Sequence, residues 1–164
     1  MSNDKYIHSD VEDRIYSYWE KNGLFKPKEN SKKFSIVIPP PNVTGSLHMG
    51  HALNNSIQDL LVRYHRMHNY ETLWQPGTDH AGIATQALVE KKLSSEKIDK
   101  NEIGREKFIE KVWEWKDQYG DIIINQLKKL GCSCDWSRNA FTMEENLSKS
   151  VRKVFVDLYN KDLI

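Results

Sequence analysis

The 164 residues are enough for one domain with a buried core. Charged residues make up 29% of the chain and hydrophobic residues 38%, with five Trp and seven Tyr, so the composition excludes an intrinsically disordered protein. A net charge of +1 excludes a global electrostatic attraction to nucleic acid, and an RNA partner would have to be bound by a local patch or by sequence outside this chain.

The chain carries no sequence feature of secretion or membrane insertion. Its first ten residues, MSNDKYIHSD, lack the apolar run of a secretory signal, and no stretch approaches the roughly 20 apolar residues that span a bilayer. We therefore expect a cytoplasmic protein without a membrane contact. Cys132 and Cys134 are too few for a disulfide framework and lack the second pair of a zinc site, so we predict buried or half-buried thiols and no protein-bound metal.

The first predicted element is a helix. Ser9 and Glu12 have the spacing of a capping box at its start, and Gly23 is a typical helix stop. After a polar connector, the apolar and β-rich run at Phe34–Ile38 predicts a buried parallel strand. Pro39–Pro41 follow directly and forbid further ladder pairing.

The strongest helix pattern covers residues 47–69, without a proline to interrupt it. A second short strand is predicted at Tyr70–Trp74, before a loop that contains a Pro-Gly pair. A strand, a crossover helix and another strand make a βαβ unit, which should be parallel and right-handed. The apolar positions that repeat at helical spacing are Leu53, Ile57, Leu60, Leu61 and Tyr64.

Helical patterns dominate the rest of the chain. Ile83–Leu93 can be helical, and the polar stretch that follows it is expected to be exposed. A long amphipathic helix is predicted for Ile103–Leu130, with a possible irregularity at Gly120 and a glycine stop at Gly131. The run CSCDWSRNAFT is predicted to be an irregular connector. Thr142 and Glu145 then have the spacing of a capping box for the final helix.

Two histidines follow the first strand and its Pro-rich turn. This order places backbone amides at the carboxyl end of a parallel strand, where open α/β sheets bind ligands and a helix N-terminus favours an anion. His48 and His51 are three residues apart, so both can face that anion, and Gly50 lets a flat ring press onto the backbone. The pattern predicts a nucleotide site with two phosphate-contacting imidazoles.

Two other interpretations of the histidines stay open. A pair at this spacing can chelate a metal, but that usually needs a third ligand and an outer carboxylate. They can also be structural histidines at a helix end. Cationic imidazoles near a helix N-terminus oppose the helix dipole, so they need an anion or neutrality there, and a bound phosphate removes that conflict.

These residues carry a family resemblance. The run PPPNVTGSLHMGHAL resembles the signature of the class I aminoacyl-tRNA synthetases, in which a histidine-x-glycine-histidine sequence opens the helix after the first strand. The run GTDHAGIATQ at Gly77–Gln86 is similar to the valyl branch of that family, whereas the isoleucyl and leucyl enzymes have a Gly-Trp-Asp core and the methionyl enzyme has Gly-Thr-Asp-Glu-His. The resemblance continues through GREKF, VWEWK and CDWSRNAFTM and covers nearly all of residues 34–164.

The resemblance implies an α/β fold. Residues 34–164 would form the first half of a Rossmann-like, HUP-type nucleotide-binding fold with parallel strands and long helices, and residues 1–33 an amino-terminal helical extension. The chain would then stop before the editing insertion, before the second half of the nucleotide fold and before the helical domain that reads the anticodon. We expect such a segment to hold half of an active site and to show little activity alone.

The implied activity is that of a valine–tRNA ligase. The full enzyme activates valine with ATP and Mg²⁺ to valyl-adenylate and then transfers the valyl group to tRNA(Val), and we expect it to be a monomer. His48 and His51 would be the catalytic residues and would donate to phosphate oxygens. ATP would be contacted by Thr44, Gly45, His48, Gly50 and His51, with the adenine at Gly50.

Asp79 is the expected partner of the substrate ammonium group, with Pro41 and Asn42 as the other wall of the amino-acid site. From the residues alone, Asp79 can instead form an Asx-turn or a helix cap. Trp74 can line the pocket or belong to the core, and we assign it to the core. His80 and Gln86 are neighbours of the site without a derived role. Lys91–Lys97 superficially resembles the family's lysine-rich loop. In the family that loop lies far downstream, so we interpret this segment as a solvated helix end.

Two rival functions remain. One is a catalytically silent nucleotide-binding module, which the parent gene would reveal by lacking the lysine-rich loop. The other is a different class I synthetase or a small nucleotidyltransferase of the same superfamily, which the GTDHAG loop disfavours. A pocket distinguishes one aliphatic side chain from another by a binding free energy of only about 1–3 kcal/mol. The identity of the amino acid is therefore the most detailed part of the prediction.

Overall fold

The structure, a computed structural model, describes residues 5–164. The chain divides into two units. The first contains the described residues up to Ile38 together with Leu47–Pro76 and Ile124–Arg138. The second contains Pro39–Ser46, Gly77–Ile123 and Asn139–Ile164.

Helix α1 (His8–Lys21) opens the first unit. Its N-cap is Ile7, and none of the side chains that the structure describes caps it. The predicted capping box of Ser9 and Glu12 is therefore wrong, because the chain is already helical at His8 and Ser9 lies inside the first turn. The predicted stop is confirmed: Gly23 has a φ of +64°, and the hydrogen bonds of its turn are those of a Schellman motif.

A parallel βαβ unit forms the centre of the first unit, as the sequence predicted. Strand β1 (Lys33–Val37), helix α2 (Met49–Met67) and strand β2 (Glu71–Gln75) follow one another in the chain. The strands pair in parallel, from Lys33 opposite Glu71 to Val37 opposite Gln75, and α2 packs against both.

Burial in this unit differs from the sequence pattern. Strand β1 is not buried: exposed and half-buried residues alternate, and Val37 is 70% exposed. The reason is that β1 pairs with β2 alone among the described residues. On α2 the repeating apolar side chains are exposed, Leu60 at 68%, and the buried residues are Asn55 and Val62.

The buried side of α2 is anchored by polar contacts to the turn that contains both cysteines. The Asp59 carboxylate accepts hydrogen bonds from the Ser133 backbone N–H at 2.9 Å and from its hydroxyl at 2.5 Å. The Arg66 guanidinium donates to the Ser133 hydroxyl and carbonyl at 2.6 and 2.7 Å. Cys132 and Cys134 are thereby held as free, buried thiols, as predicted.

The second unit contains two very short strands and three helices. Strand β3 (Gly77–Thr78) is followed by helix α3 (Ile83–Ser95), which agrees with the predicted helix there. Helix α4 (Lys100–Lys129) comes next, and its residues from Ile124 onward belong to the first unit. Strand β4 (Ala140–Phe141) pairs in parallel with β3, where the sequence predicted an irregular connector.

Helix α4 is interrupted, but not where the sequence suggested. Gly104 has φ +80° and ψ +165°, which breaks the helix near its start, whereas Gly120 lies within regular helix. Few residues other than glycine adopt the backbone conformation of Gly104. The φ and ψ angles therefore identify the position of the break, which the amino-acid sequence alone does not indicate. The predicted stop at Gly131 is confirmed by its φ of +87° and by a second Schellman motif.

Helix α5 (Glu145–Tyr159) ends the second unit, and its N-cap is Glu144. The predicted capping box of Thr142 and Glu145 is wrong, because the Thr142 side chain bonds to the β3–α3 loop instead. The polar residues of Lys91–Lys97 are exposed at the end of α3, as predicted, whereas Leu93 between them is buried. Across residues 5–164, no helix combines the length and apolar character that crossing a bilayer requires.

Candidate functional site

Helix α2 begins with two hydrogen bonds in which histidine rings accept from backbone N–H groups. His48 is the N-cap, in an extended conformation, and its Nδ1 accepts from the Gly50 backbone N–H at 3.1 Å. The His48 backbone N–H donates to Nδ1 of His51 at 3.3 Å. This is a capping box in which two histidines satisfy backbone donors that a helix N-terminus otherwise leaves unpaired.

The cap fixes the protonation of both rings. Because each Nδ1 accepts a backbone N–H, each neutral ring must carry its proton on Nε2. The ring centroids of His48 and His51 are 4.0 Å apart, and His48 is exposed while His51 is half-buried. Burial, and secondarily the neighbouring His48, lower the pKa of His51, which favours the neutral form that the cap needs. Two Nε2–H donors thus stand at a helix N-terminus, where anions bind.

Gly50 is required by the cap itself. A Cβ at this position would lie 2.9 Å from Cε1 of His48, closer than real Cβ contacts, and 3.0 Å from its Nδ1. The flat ring that presses onto the Gly50 backbone is therefore the His48 imidazole. The sequence predicted such a contact in general terms, and its specific assignment to adenine stays a prediction.

The second group of predicted residues lies in the second unit, at the start of the loop after β3. The Asp79 backbone N–H donates to the Pro41 carbonyl at 2.8 Å, and the Val43 N–H donates to the Asp79 carbonyl at 2.9 Å. Asn42 and Asp79 form an isolated parallel bridge. The Pro-rich segment and the Gly-Thr-Asp loop are thus held side by side by the backbone.

The Asp79 side chain forms an Asx-turn, the alternative that its sequence context left open. Its Oδ1 accepts from the Ala81 backbone N–H at 2.6 Å. Within residues 5–164, Oδ2 has no hydrogen-bond partner, and the side chain is 35% exposed. Ala81 has a φ of +53° and Gly82 one of +45°, so the loop turns sharply after the carboxylate. The turn uses one oxygen of Asp79 and leaves the other for a ligand.

His80 is held by two threonines. Its backbone N–H donates to the Thr142 hydroxyl oxygen at 2.9 Å, and its carbonyl accepts from the buried Thr85 hydroxyl at 2.7 Å. The ring Nδ1 of His80 lies 2.6 Å from the same Thr142 oxygen. Sequence reasoning missed Thr142, and no local signal could have identified it, because the two residues are 62 positions apart.

The other predicted residues lie near these two groups or in the core. Thr44 and Gly45 are half-buried in the turn after Val43, whose carbonyl accepts from the Trp115 Nε1–H at 2.9 Å. Pro41 is buried and the Asn42 side chain is exposed. The assignment of Trp74 to the core is confirmed, since it is fully buried and donates from Nε1 to Gln58 at 3.0 Å; Gln86 is exposed on α3.

The structure therefore gathers the predicted residues into two groups. His48, Gly50 and His51 come together in the first unit, and Asp79 lies beside the Pro41–Val43 backbone in the second. Within residues 5–164, no three His, Cys, Asp or Glu side chains form a group that could hold a metal ion.

Comparison with known proteins identifies the family. The profile of the family described as "tRNA synthetases class I (I, L, M and V)" matches residues 14–164. The chain belongs to the class I tRNA synthetases. The LeuRS of Agrobacterium radiobacter, solved in a ternary complex with tRNA and LeuAMS, superposes with a TM-score of 0.78 at 22% identity, over 97% of this chain and 19% of that one. The predicted parallel α/β, Rossmann-like fold class is thereby confirmed.

Relatives within the class I tRNA synthetases are much more similar in sequence. The valine–tRNA ligase of Pelagibacter ubique is 86% identical over 164 residues, which is 100% of this chain and 19% of that protein. The valine–tRNA ligase of Bdellovibrio bacteriovorus is 58% identical over 163 residues, 98% of this chain and 18% of that protein. The chain thus spans about a fifth of the length of these relatives.

Proposed function

We propose that this chain is a segment of a valine–tRNA ligase. Residues 34–164 are the first half of its catalytic nucleotide-binding domain, and residues 1–33 are an amino-terminal helical extension. The observation that carries the proposal is the 86% identity, over all 164 residues, to a protein that bears this name. An isoleucyl, leucyl or methionyl specificity would be the nearest alternative within the family.

The proposed reaction has two steps. A carboxylate oxygen of valine attacks the α-phosphorus of ATP, which is bound with Mg²⁺, and pyrophosphate leaves. The valyl group then moves from the adenylate to the terminal ribose of tRNA(Val). The first step needs no protein nucleophile, so positioning and stabilisation of moving charge supply the catalysis.

His48 and His51 are proposed to stabilise the charge that moves toward the leaving pyrophosphate. Each would donate its Nε2–H to a phosphate oxygen, and the geometry of the cap supports this because it commits both Nδ1 atoms to the backbone. Neutral donors at a helix N-terminus add to the helix dipole instead of opposing it. Gly50 is proposed to support adenine, and Thr44 and Gly45 to contact ATP through backbone and hydroxyl groups.

Asp79 is proposed to bind the ammonium group of valine. Its Oδ2, which the Asx-turn leaves unused within the described residues, would accept from that group. Pro41 and Asn42 would form the adjoining wall through their backbone, to which Asp79 is already bonded. The full protein is proposed to be a cytoplasmic monomer.

The test is valine-dependent exchange between ATP and labelled pyrophosphate. The full-length protein that carries this segment is expected to catalyse exchange with valine and far less with isoleucine, leucine or methionine. The 164-residue chain alone is expected to show little or none. Exchange that prefers another amino acid, or none with any of the four, would contradict the proposal for the full protein. Robust exchange by the 164-residue chain would show that it does not hold only part of an active site.

A further inference from the structure

Thr142 forms hydrogen bonds to the residues on both sides of Asp79. Its hydroxyl oxygen accepts from the His80 backbone N–H at 2.9 Å, and its own backbone N–H donates to the Thr78 carbonyl at 3.2 Å. The strand pairing of β3 with β4 stops at Phe141, one residue before Thr142, so the threonine continues the contact beyond the strands. One residue thus fixes the peptide groups immediately before and after the carboxylate.

The Thr142 hydroxyl also contacts the neighbouring ring. The His80 amide can only donate, so the hydroxyl oxygen is its acceptor, and the same oxygen lies 2.6 Å from His80 Nδ1. Nδ1 in turn lies 3.5 Å from Asp79 Oδ1. Thr142 thus holds both the backbone and the ring of His80 beside the Asp79 carboxylate.

The remaining bonds of the loop show what Thr142 adds. The Asp79 backbone is held by Pro41 and Val43, and the His80 carbonyl is held by Thr85. The peptide between Asp79 and His80, on which the direction of the carboxylate depends, is held from both sides. Its carbonyl accepts from the Val43 N–H, and its N–H donates to the Thr142 hydroxyl. Losing the hydroxyl would leave that N–H without its acceptor, in a half-buried loop.

We propose that Thr142 is a positioning residue for the amino-acid site: it orients the Asp79 carboxylate toward the ammonium group of the substrate. This rests on the proposed function, because Asp79 is the proposed ammonium ligand. Thr142 itself does not touch the substrate. Its effect should therefore appear in the recognition of the ammonium group and not in the handling of ATP.

The experiment uses the full-length protein and three substitutions at one position. Thr142→Val is nearly isosteric and removes the hydroxyl, Thr142→Ser keeps it, and Thr142→Ala removes it without placing a methyl group toward His80. In valine-dependent exchange, Thr142→Val and Thr142→Ala are expected to raise KM for valine about 5- to 10-fold, with KM for ATP changed less than about twofold. Thr142→Ser is expected to behave as the wild type. Thermal unfolding followed by circular dichroism identifies a variant that fails to fold, and the alanine variant then replaces the valine one.

Two further measurements separate positioning from a general structural defect. 3-Methylbutanoate, which is valine without its ammonium group, has no donor for Asp79, so its inhibition constant should be the same for wild type and Thr142→Val. In an Asp79→Asn background, Thr142→Val should add less than about a twofold change, because both changes act through one contact.

The outcomes are distinct. An unchanged KM for valine in the hydroxyl-free variants, an equal rise in KM for ATP, failure of serine to restore the wild-type value, or additive effects with Asp79→Asn would each overturn the role of Thr142. Absence of valine-dependent exchange in the wild-type protein would instead overturn the proposed function. The wild-type measurement therefore tells the two failures apart.

Discussion

At the scale of single residues, His48 and His51 occupy the positions that Ser and Glu hold in an ordinary capping box. The sequence predicted that the two rings share a side of the first helical turn, and it predicted a conflict between cationic rings and the helix dipole. The structure resolves that conflict with hydrogen bonds, because both rings accept backbone N–H groups through Nδ1. A phosphate is therefore not needed to hold the rings in place.

Replacing His51 should slow activation without releasing the cap. In His51→Asn the side-chain oxygen can still accept from the His48 backbone N–H, but the ring Nε2–H is lost. Removing one donor that stabilises charge in the transition state typically costs about 10²-fold in kcat. We expect a loss of that order in valine-dependent exchange by the full-length protein, with KM for valine nearly unchanged. An unchanged rate would remove His51 from the mechanism.

Gly50→Ala tests the close approach of the His48 ring. Alanine normally stabilises a helix by about 1 kcal/mol relative to glycine, but here its Cβ would force the ring away and break a cap worth about 1 kcal/mol. We expect Gly50→Ala to give no stabilisation in urea unfolding of the chain. Gly120→Ala is the matched control, because Gly120 is helical with open space around its Cβ, and it should stabilise by about 0.5–1 kcal/mol. Equal gains for both variants would contradict the close contact.

The hydrogen-bonding roles of single residues were predictable from the sequence where those roles depend on residues close by in the chain. The histidine spacing and the possible Asx-turn of Asp79 are local and were both foreseen. Thr142 was assigned to a helix cap because Glu145 lies three residues later, and the pattern is silent about His80, 62 positions away. The tertiary hydrogen bond determined the role of that threonine, and the local pattern did not.

At the scale of elements, glycine positions correctly predicted where two helices end, but the capping-box patterns did not predict where helices begin. Gly23 and Gly131 end their helices in Schellman motifs, in which the left-handed residue is needed whatever surrounds it. The polar capping boxes predicted at Ser9 and Thr142 are absent, since many residue types can begin a helix. Burial on α2 was also not predictable, because its apolar positions are exposed while Asp59 and Arg66 anchor it.

The structure places the interruption of α4 at Gly104, whereas the sequence pattern suggested Gly120, and a stability measurement can distinguish the two positions. Gly104 lies in a region of backbone space that essentially only glycine adopts, so Gly104→Ala should destabilise the chain by about 1–3 kcal/mol. Gly120→Ala, in the same helix, should stabilise it instead. The measurement is urea unfolding of both variants. The reverse order of stabilities would place the irregularity at Gly120, where the pattern suggested it.

At the scale of the whole molecule, the order of elements predicted the βαβ unit because strand, helix and strand are each long enough to have a pattern. Strands β3 and β4 have two residues each, which is too short for any periodicity, and their partners are more than 60 positions apart. The pairing nevertheless matters for the candidate site, because β3 leads directly to Asp79 and β4 leads directly to Thr142. What the sequence missed is thus the part of the second unit that supports the carboxylate.

The rate at which the two buried cysteines are labelled can be used to measure opening of the first unit. Both thiols are almost fully buried, and burial raises the pKa of Cys132 to about 12. At pH 8 only about one Cys132 in 10⁴ would carry the reactive thiolate, even before access is considered. We therefore expect no labelling of the native chain by a thiol reagent, and labelling of two thiols per chain in denaturant.

Loosening the contact between α2 and the cysteine turn should speed that labelling. Asp59→Ala removes the acceptor of both Ser133 hydrogen bonds and the ion pair of Arg63, which then keeps its hydrogen bond to the Gly131 carbonyl, at a cost of about 2–3 kcal/mol. If labelling follows the population of opened molecules, its rate should rise about 30- to 160-fold. Asp117→Ala is the matched control, because that carboxylate is exposed and pairs with Lys116 alone among the described residues. Rapid labelling of the native wild-type chain, or equal rates for the two variants, would show that the turn is not held closed by Asp59.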